Sequence, residues 1–192
     1  MALAPTTELE AVNTMLSTIG EAPVSSLEVS GLTDVAIAKA VLNETSKAVQ
    51  SRGWHFNSEI NYELSPTVDG HLLPPTNTLR IDPTKLFGQY DVTHRGSKLY
   101  NREKHTYVFT DPIKFDLILM LAFDEMPEAA RYYITIRAAR IFQRRMLGAE
   151  TLEQFTAEEE GRALVVLHEA EGDTGDHNVL TGSYSVYGIL AR

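Results

Sequence analysis

The sequence predicts an α+β protein: a helical bundle formed by an N-terminal and a C-terminal helix pair, with an inserted small antiparallel β domain and an extended C-terminal arm. Three observations predict it. Apolar and small residues recur at helical spacing through Val35, Ala38, Leu42, Thr45 and Val49 and stop at Gly53. Between Trp54 and about Leu121 they fall instead into short alternating or β-branched segments separated by turn residues. Helical spacing resumes at Pro127 and continues, with one break at Gly148, to Glu171. The expected parts are residues 1–53 (helix pair), 54–123 (β insertion), 124–171 (second helix pair) and 172–192 (interaction arm).

The first helix is marked by Thr7-Glu8-Leu9-Glu10, a capping box in which Thr7 accepts from a free amide and Glu10 reaches back. Leu9, Val12, Leu16 and Ile19 form its apolar stripe, and Gly20 and Pro23 end it. A second helix is expected from Thr33-Asp34 to Arg52, antiparallel to the first, with Gly53 as its left-handed cap. After Gly53 a period of two is expected, with Trp54 and Phe56 on one side and His55 and Asn57 on the other. That places Trp54 and Phe56 as structural anchors at a helix-to-strand corner, the role favoured over stacking on a ligand.

Farther on, Ile60-Asn61-Tyr62-Glu63-Leu64 alternates, and Asp69-Gly70, Pro74-Pro75, Asp82-Pro83 and Asp111-Pro112 mark turns. Tyr90 to His94 and Lys98 to Asn101 read as a hairpin around Arg95-Gly96-Ser97. The order of strand pairing is not readable from these signals. Pro127 and Glu128 suit a helix's first turn, and Ala130, Tyr133, Ile134, Ile136, Ala138, Ile141 and Phe142 form a buried side up to Leu147. The last helix, from about Thr151 to Glu171, carries Leu152, Phe155, Ala163, Val166, Leu167 and Ala170. Tyr184, Tyr187, Ile189 and Leu190 follow glycines in a closing segment suited to pairing with another subunit.

Composition narrows the function. At 192 residues and 43% hydrophobic content the chain can bury a proper core, and without cysteine it has no disulfide, thiolate metal site or cysteine nucleophile. Met1 to Pro5 has no basic n-region, and the longest apolar run, Leu117 to Phe123, is too short for a bilayer, so neither signal peptide nor membrane anchor is expected. A net charge of −9 argues against broad binding to phosphate backbones and suits a passage that DNA slides through.

No catalytic residue, cofactor or metal is expected. Asp124-Glu125 is the best carboxylate pair for acid catalysis, but its place before a helix favours capping. Arg137, Arg140, Arg144 and Arg145 form the concentrated basic patch, and the first three share one side of a helix. Counted outward from Gly148, Arg137 comes level with Glu159 and Arg144 with Glu153, so salt bridges between helices or subunits are preferred to phosphate binding. Asp173, Asp176 and His177 lack the ligand density of a calcium loop. The dinucleotide glycine fingerprint, the Walker motif and the Gly-x-Ser-x-Gly elbow do not occur.

Four segments together resemble one family. They are Ile19-Gly20-Glu21-Ala22-Pro23-Val24, the run Gln50 to Asn57, Asp124-Glu125-Met126-Pro127, and Arg137-Ala138-Ala139-Arg140 with Phe142, Arg145 and Gly148; the closing Gly188-Ile189-Leu190-Ala191-Arg192 is also similar. The family is the tail tubular protein A, or head-to-tail adaptor (gatekeeper), of short-tailed bacteriophages. Residues from about Ser65 to Phe109 match in character more than in motif.

The resemblance implies a virion structural protein at the head-to-tail junction, synthesised in the host cytoplasm. It implies a dodecameric ring that connects the portal to the tail nozzle and extends the channel for genomic DNA, which passes without sequence-specific binding. It also implies a C-terminal segment that embraces neighbouring subunits or the portal. The subunit and portal interface is expected at Arg137, Arg140, Arg144, Tyr184, Tyr187, Ile189 and Leu190. Two rival readings are a glycan hydrolase using Asp124 and Glu125, and a DNA-contacting protein using Arg137, Arg140 and Arg144.

Overall fold

A computed structural model describes residues 5–28, 33–84, 90–148 and 150–174, in residues 150–156 the backbone alone. The elements are α1 (Glu8–Ser17), α2 (Thr33–Gln50), β1 (Ser58–Leu64), β2 (Thr78–Pro83), β3 (Val92–Arg95), β4 (Lys98–Asn101), β5 (Ile113–Leu119), α3 (Glu128–Leu147) and α4 (Glu150–Thr174), with short 3₁₀ turns at His55–Asn57 and Phe123–Glu125. The class is α+β, with four helices and small antiparallel sheets among the described residues. Two compact units form, one from residues 1–42 and 127–192 and the other from 43–126. Their boundary falls inside α2, which begins in the helical unit and ends in the strand unit.

In the helical unit, α1 starts with the expected capping box: the Thr7 amide donates to Glu10 Oε2 at 2.8 Å, and the Glu10 amide to Thr7 Oγ1 at 3.2 Å. These bonds hold the Glu10 carboxyl below its usual range, the Thr7 backbone amide contributing most. Ala11, Val12, Met15 and Leu16 are buried, while the expected Leu9 and Ile19 are only partly so. Asn13 then pins the following loop, donating to Val24 O at 3.0 Å and accepting from the Val24 amide at 2.8 Å.

Close helix–helix approaches in this unit join α1 to α3 and α3 to α4; α1 does not pair with α2 to that extent, contrary to the expected antiparallel first pair. The long loop from α1 to α2 removes the short-connection constraint that makes consecutive helices neighbours. On α3, Ala130, Tyr133, Ile134, Ala138 and Phe142 are buried as expected, whereas Ile136 and Ile141 are half-buried and Thr135 and Gln143 are buried in addition. Gln143 donates to Thr18 O at 3.1 Å and so ties α3 to the end of α1. Gly148 adopts φ 62°, the left-handed cap that its lack of Cβ makes inexpensive.

The last helix departs from expectation twice. It runs to Thr174, through the first residues assigned to the arm, because a single helix glycine such as Gly172 costs only about 1 kcal/mol and need not end a helix. Val166, expected in the core, is 45% exposed; Ala163 and Leu167 define the buried side. Leu152 and Phe155 lie among side chains outside the described residues, as does the arm from residue 175 onward.

The strand unit contains a three-stranded antiparallel sheet in the order β1-β5-β2 and a separate β3–β4 hairpin. Leu64, Leu72, Ile81, Leu99, Phe109, Ile113, Phe115 and Leu117 make one core, joining hairpin and sheet through Leu99. The hairpin turns tightly at Gly96-Ser97, with Arg95 paired to Lys98, one residue tighter than the sequence suggested. Strand β1 does not alternate as expected. Asn61 takes φ 60°, the register against β5 slips between Glu59 and Tyr62, and Ile60 is left 74% exposed.

Residues 54–57 are also not a strand. His55–Asn57 forms a 3₁₀ turn, Asn57 is buried, Phe56 is half-buried and His55 is exposed. Asn57 explains why. Its Oδ1 accepts from the Trp54 amide at 2.8 Å, while Nδ2 donates to Gln50 O at 2.9 Å and Leu119 O at 2.8 Å. The amide thereby rewards a compact turn over an extended one. Gly53 permits the approach at φ 79°, and a Cβ there would overlap Ile118 Cδ1.

Candidate assembly surfaces

The expected anchor Trp54 lies in the strand unit, 7% exposed, with Nε1 donating to Val49 O at 2.8 Å. Gln50 completes this corner: it is fully buried, donates to Ser46 Oγ at 3.0 Å and Leu121 O at 3.1 Å, and accepts from the Leu121 amide at 2.8 Å. The corner is thus filled by partnered side chains. The sequence places Asn57 with His55 on the side away from Trp54, and it assigns Gln50 no buried role; two amides bracketing a glycine and a tryptophan are the signal available.

The basic patch of α3 is largely used inside the helical unit. Arg137 Nη1 lies 3.1 Å from Glu160 Oε1 and also donates to Tyr133 OH at 2.9 Å. Arg140 Nε lies 2.5 Å from Glu160 Oε2. The three side chains are 29%, 26% and 13% exposed, so the charges face each other across the α3–α4 seam. The partner is Glu160 and not the expected Glu159, which is exposed. One residue along a helix turns the side chain by about 100°, enough to move it from the seam to solvent. Arg144 is exposed, and its expected partner Glu153 lies among the side chains outside the described residues.

The start of α3 is used as well. Glu128 accepts from the Thr6 amide at 2.8 Å and from Thr6 Oγ1, and Arg131 Nη1 donates to Thr6 O at 3.0 Å. Asp124 and Glu125 are both exposed, and Glu125 Oε2 accepts from the Ala122 amide at 3.0 Å, a capping contact. Among the described residues no group of three His, Asp or Glu side chains is placed to hold a metal, and no helix is long and apolar enough to cross a membrane.

Surfaces remain that carry large apolar groups in water. In the helical unit these include Tyr132, Leu147, Val165 and Val166; in the strand unit, Ile60 and Tyr62 on the edge strand β1, with Tyr107 and Val108 beyond the β3–β4 hairpin. A groove of about 450 Å³ beside the hairpin tip is lined by His71, Arg95, Gly96, Ser97, Lys98 and Tyr107. The expected interface residues Tyr184, Tyr187, Ile189 and Leu190 lie outside the described residues.

A scan of protein families matches residues 9–177 to the family described as Tail tubular protein. Tail tubular protein A of Klebsiella phage KP34 is 28% identical over 163 residues, which cover 84% of this chain and 86% of that protein. The match runs through both compact units, from α1 to beyond α4. The chain therefore belongs to the tail tubular protein family, structural proteins of the bacteriophage tail.

Proposed function

We propose that this chain assembles as a closed ring between the portal vertex and the tail nozzle and extends the channel through which the genome travels. The observation that carries the reading is a tail structural protein built as two compact units, each leaving large apolar side chains in water. Such groups favour burial against partners, at about 25 cal/mol per Å² of apolar area covered. A dodecameric ring needs two different complementary surfaces on each copy, since head-to-tail contacts close only by repeating one rotation.

In this reading the helical unit and the arm from residue 172 engage the portal and neighbouring copies. The loops of the strand unit meet the nozzle. Tyr184, Tyr187, Ile189 and Leu190 supply the arm's apolar grip, and Arg144 adds charge at the exposed end of α3. Arg137 and Arg140 serve the seam within a copy first, because Glu160 already engages both. A net charge of −9 keeps phosphate backbones from adhering to the ring as they pass.

Electron microscopy of the purified chain mixed with its portal tests the proposal. A ring of copies seated on the portal is expected. A chain that stays monomeric and unbound with portal present would overturn it; a monomer without portal would not, since a template can drive assembly by mass action. Truncation after Thr174 should abolish seating while leaving the two units folded.

A further inference from the structure

With two α3 arginines held by Glu160, a second concentration of accessible positive charge, besides the end of α3, lies on the β3–β4 hairpin and the loop that follows it. Between Tyr90 and Tyr107 stand Arg95, Lys98, Arg102 and Lys104 against Asp91 and Glu103, in a chain whose net charge is −9. Arg102 is paired with Asp91 at 3.5 Å. Arg95 is different: its guanidinium lies 3.9 Å from the Tyr100 ring centre, and Tyr100 meets Tyr107 edge to face at 4.8 Å. This stack orients the cation while leaving it exposed, and Lys98 lines the same groove. Tyr107 and Val108, 39% and 53% exposed, add an apolar shelf.

The helical unit carries the complement. On α4, residues 158, 162, 165 and 169 share the side away from the buried Ala163 and Leu167 by helical spacing, and 159, 166 and 173 lie along its flank. That outer side presents Glu158, Glu169 and Val165, with Glu159, Val166 and Asp173 at its flank; Val165 and Val166 are 55% and 45% exposed, and Arg162, its cation, pairs with Glu158 at 3.8 Å.

We propose that the basic aromatic tip of the β3–β4 hairpin docks on the acidic outer side of α4 in a second copy of this chain. Each surface combines an excess of one sign of charge with exposed apolar groups, and the two excesses are opposite, which steers and orients association. Duplex DNA is a poorer partner for the tip. Asp91 and Glu103 interrupt the positive charge, and a phosphate backbone offers nothing to cover Val108. The contact joins two different surfaces, so every copy retains one of each, as a ring requires. The inference takes its place in the virion from the ring reading above and gives this one loop of the strand unit to a neighbouring copy, leaving the others to the nozzle.

Sedimentation velocity over a concentration series, at low and high salt, is the test. Wild-type chain should self-associate at low salt, and high salt should weaken that association. Arg95→Glu with Lys98→Glu in one variant, and Glu158→Lys with Glu169→Lys in another, should each weaken it at least tenfold. Mixed together, the two variants should associate with each other, because one keeps the tip and the other keeps the helix. Circular dichroism melting should match wild type; where reversal unfolds the hairpin, Arg95→Gln with Lys98→Gln takes its place.

Unchanged self-association in both variants, or failure of the mixture to associate, would overturn the inference. So would a wild-type chain that stays monomeric up to about 1 mM, or a tip that binds a duplex oligonucleotide in place of the second copy. A tip-reversed chain that still forms a normal ring on the portal would remove this contact and leave the ring reading standing. Self-association through the contact by a chain that never binds portal would do the opposite.

Discussion

The helical unit and the strand unit are fastened by different chemistry. In the helical unit the α3–α4 seam is closed by ions, two guanidinium groups converging on Glu160 at 13–29% exposure. In the strand unit the corner after α2 is closed by neutral amides, with Gln50 and Asn57 buried and bonded to five backbone groups among residues 50–57 and 119–121. Ions attract over distance but are costly to desolvate, and salt screens them. Buried amides depend on geometry alone, so they hold at any salt concentration and fail when a single partner is lost.

The largest break is expected at the neutral corner. Trp54→Ala should cost about 3 to 5 kcal/mol in denaturant unfolding of the strand unit, from lost burial and the cavity left behind. Asn57→Ala should cost about 3 kcal/mol, since Trp54 N, Gln50 O and Leu119 O would each lose a buried partner. Wild-type stability in either variant would show that the corner has been overvalued. Next comes the seam, where Glu160→Gln should cost about 2 kcal/mol, between the values for exposed and buried pairs, by removing the counter-charge that Arg137 and Arg140 share. Added salt should narrow the gap between Glu160→Gln and wild type and leave that of Asn57→Ala unchanged; the reverse pattern would contradict the comparison.

Smaller effects follow at exposed charges. Arg95→Glu should leave stability within about 0.5 kcal/mol of wild type in unfolding experiments, because its cost falls on association. The smallest is the Glu10 cap. Its folded carboxyl titrates below the unfolded one, so its contribution is present above the unfolded value and is lost as pH falls through the depressed folded one. Glu10→Gln should therefore remove a slight acid-side slope from stability against pH, and an unchanged slope would exclude the role.

Helices were the most legible part of the sequence, because burying one side imposes a period on many residues at once. Val35, Ala38, Leu42, Thr45 and Val49 are all buried, and the capping box at Thr7 and the glycine cap at Gly148 stand where their chemistry requires. What failed were places where one side chain overrides a pattern. Asn57 turns an expected strand into a 3₁₀ turn, and Asn61 slips the register so that Ile60 faces water. Both are tertiary choices that no local period encodes. The arginines of α3 were legible as charge but not as available charge. Glu160 takes two of them, and the hairpin cations, spread thinly along the sequence, become a surface only when the hairpin and Tyr107 come together.

The most direct test of the account is electron microscopy of the full chain mixed with its portal, with particle symmetry and seating as the readout. Closed rings of the chain on one end of the portal, with an open axial channel, are expected. Portal particles that remain bare at saturating concentrations of folded chain would contradict it.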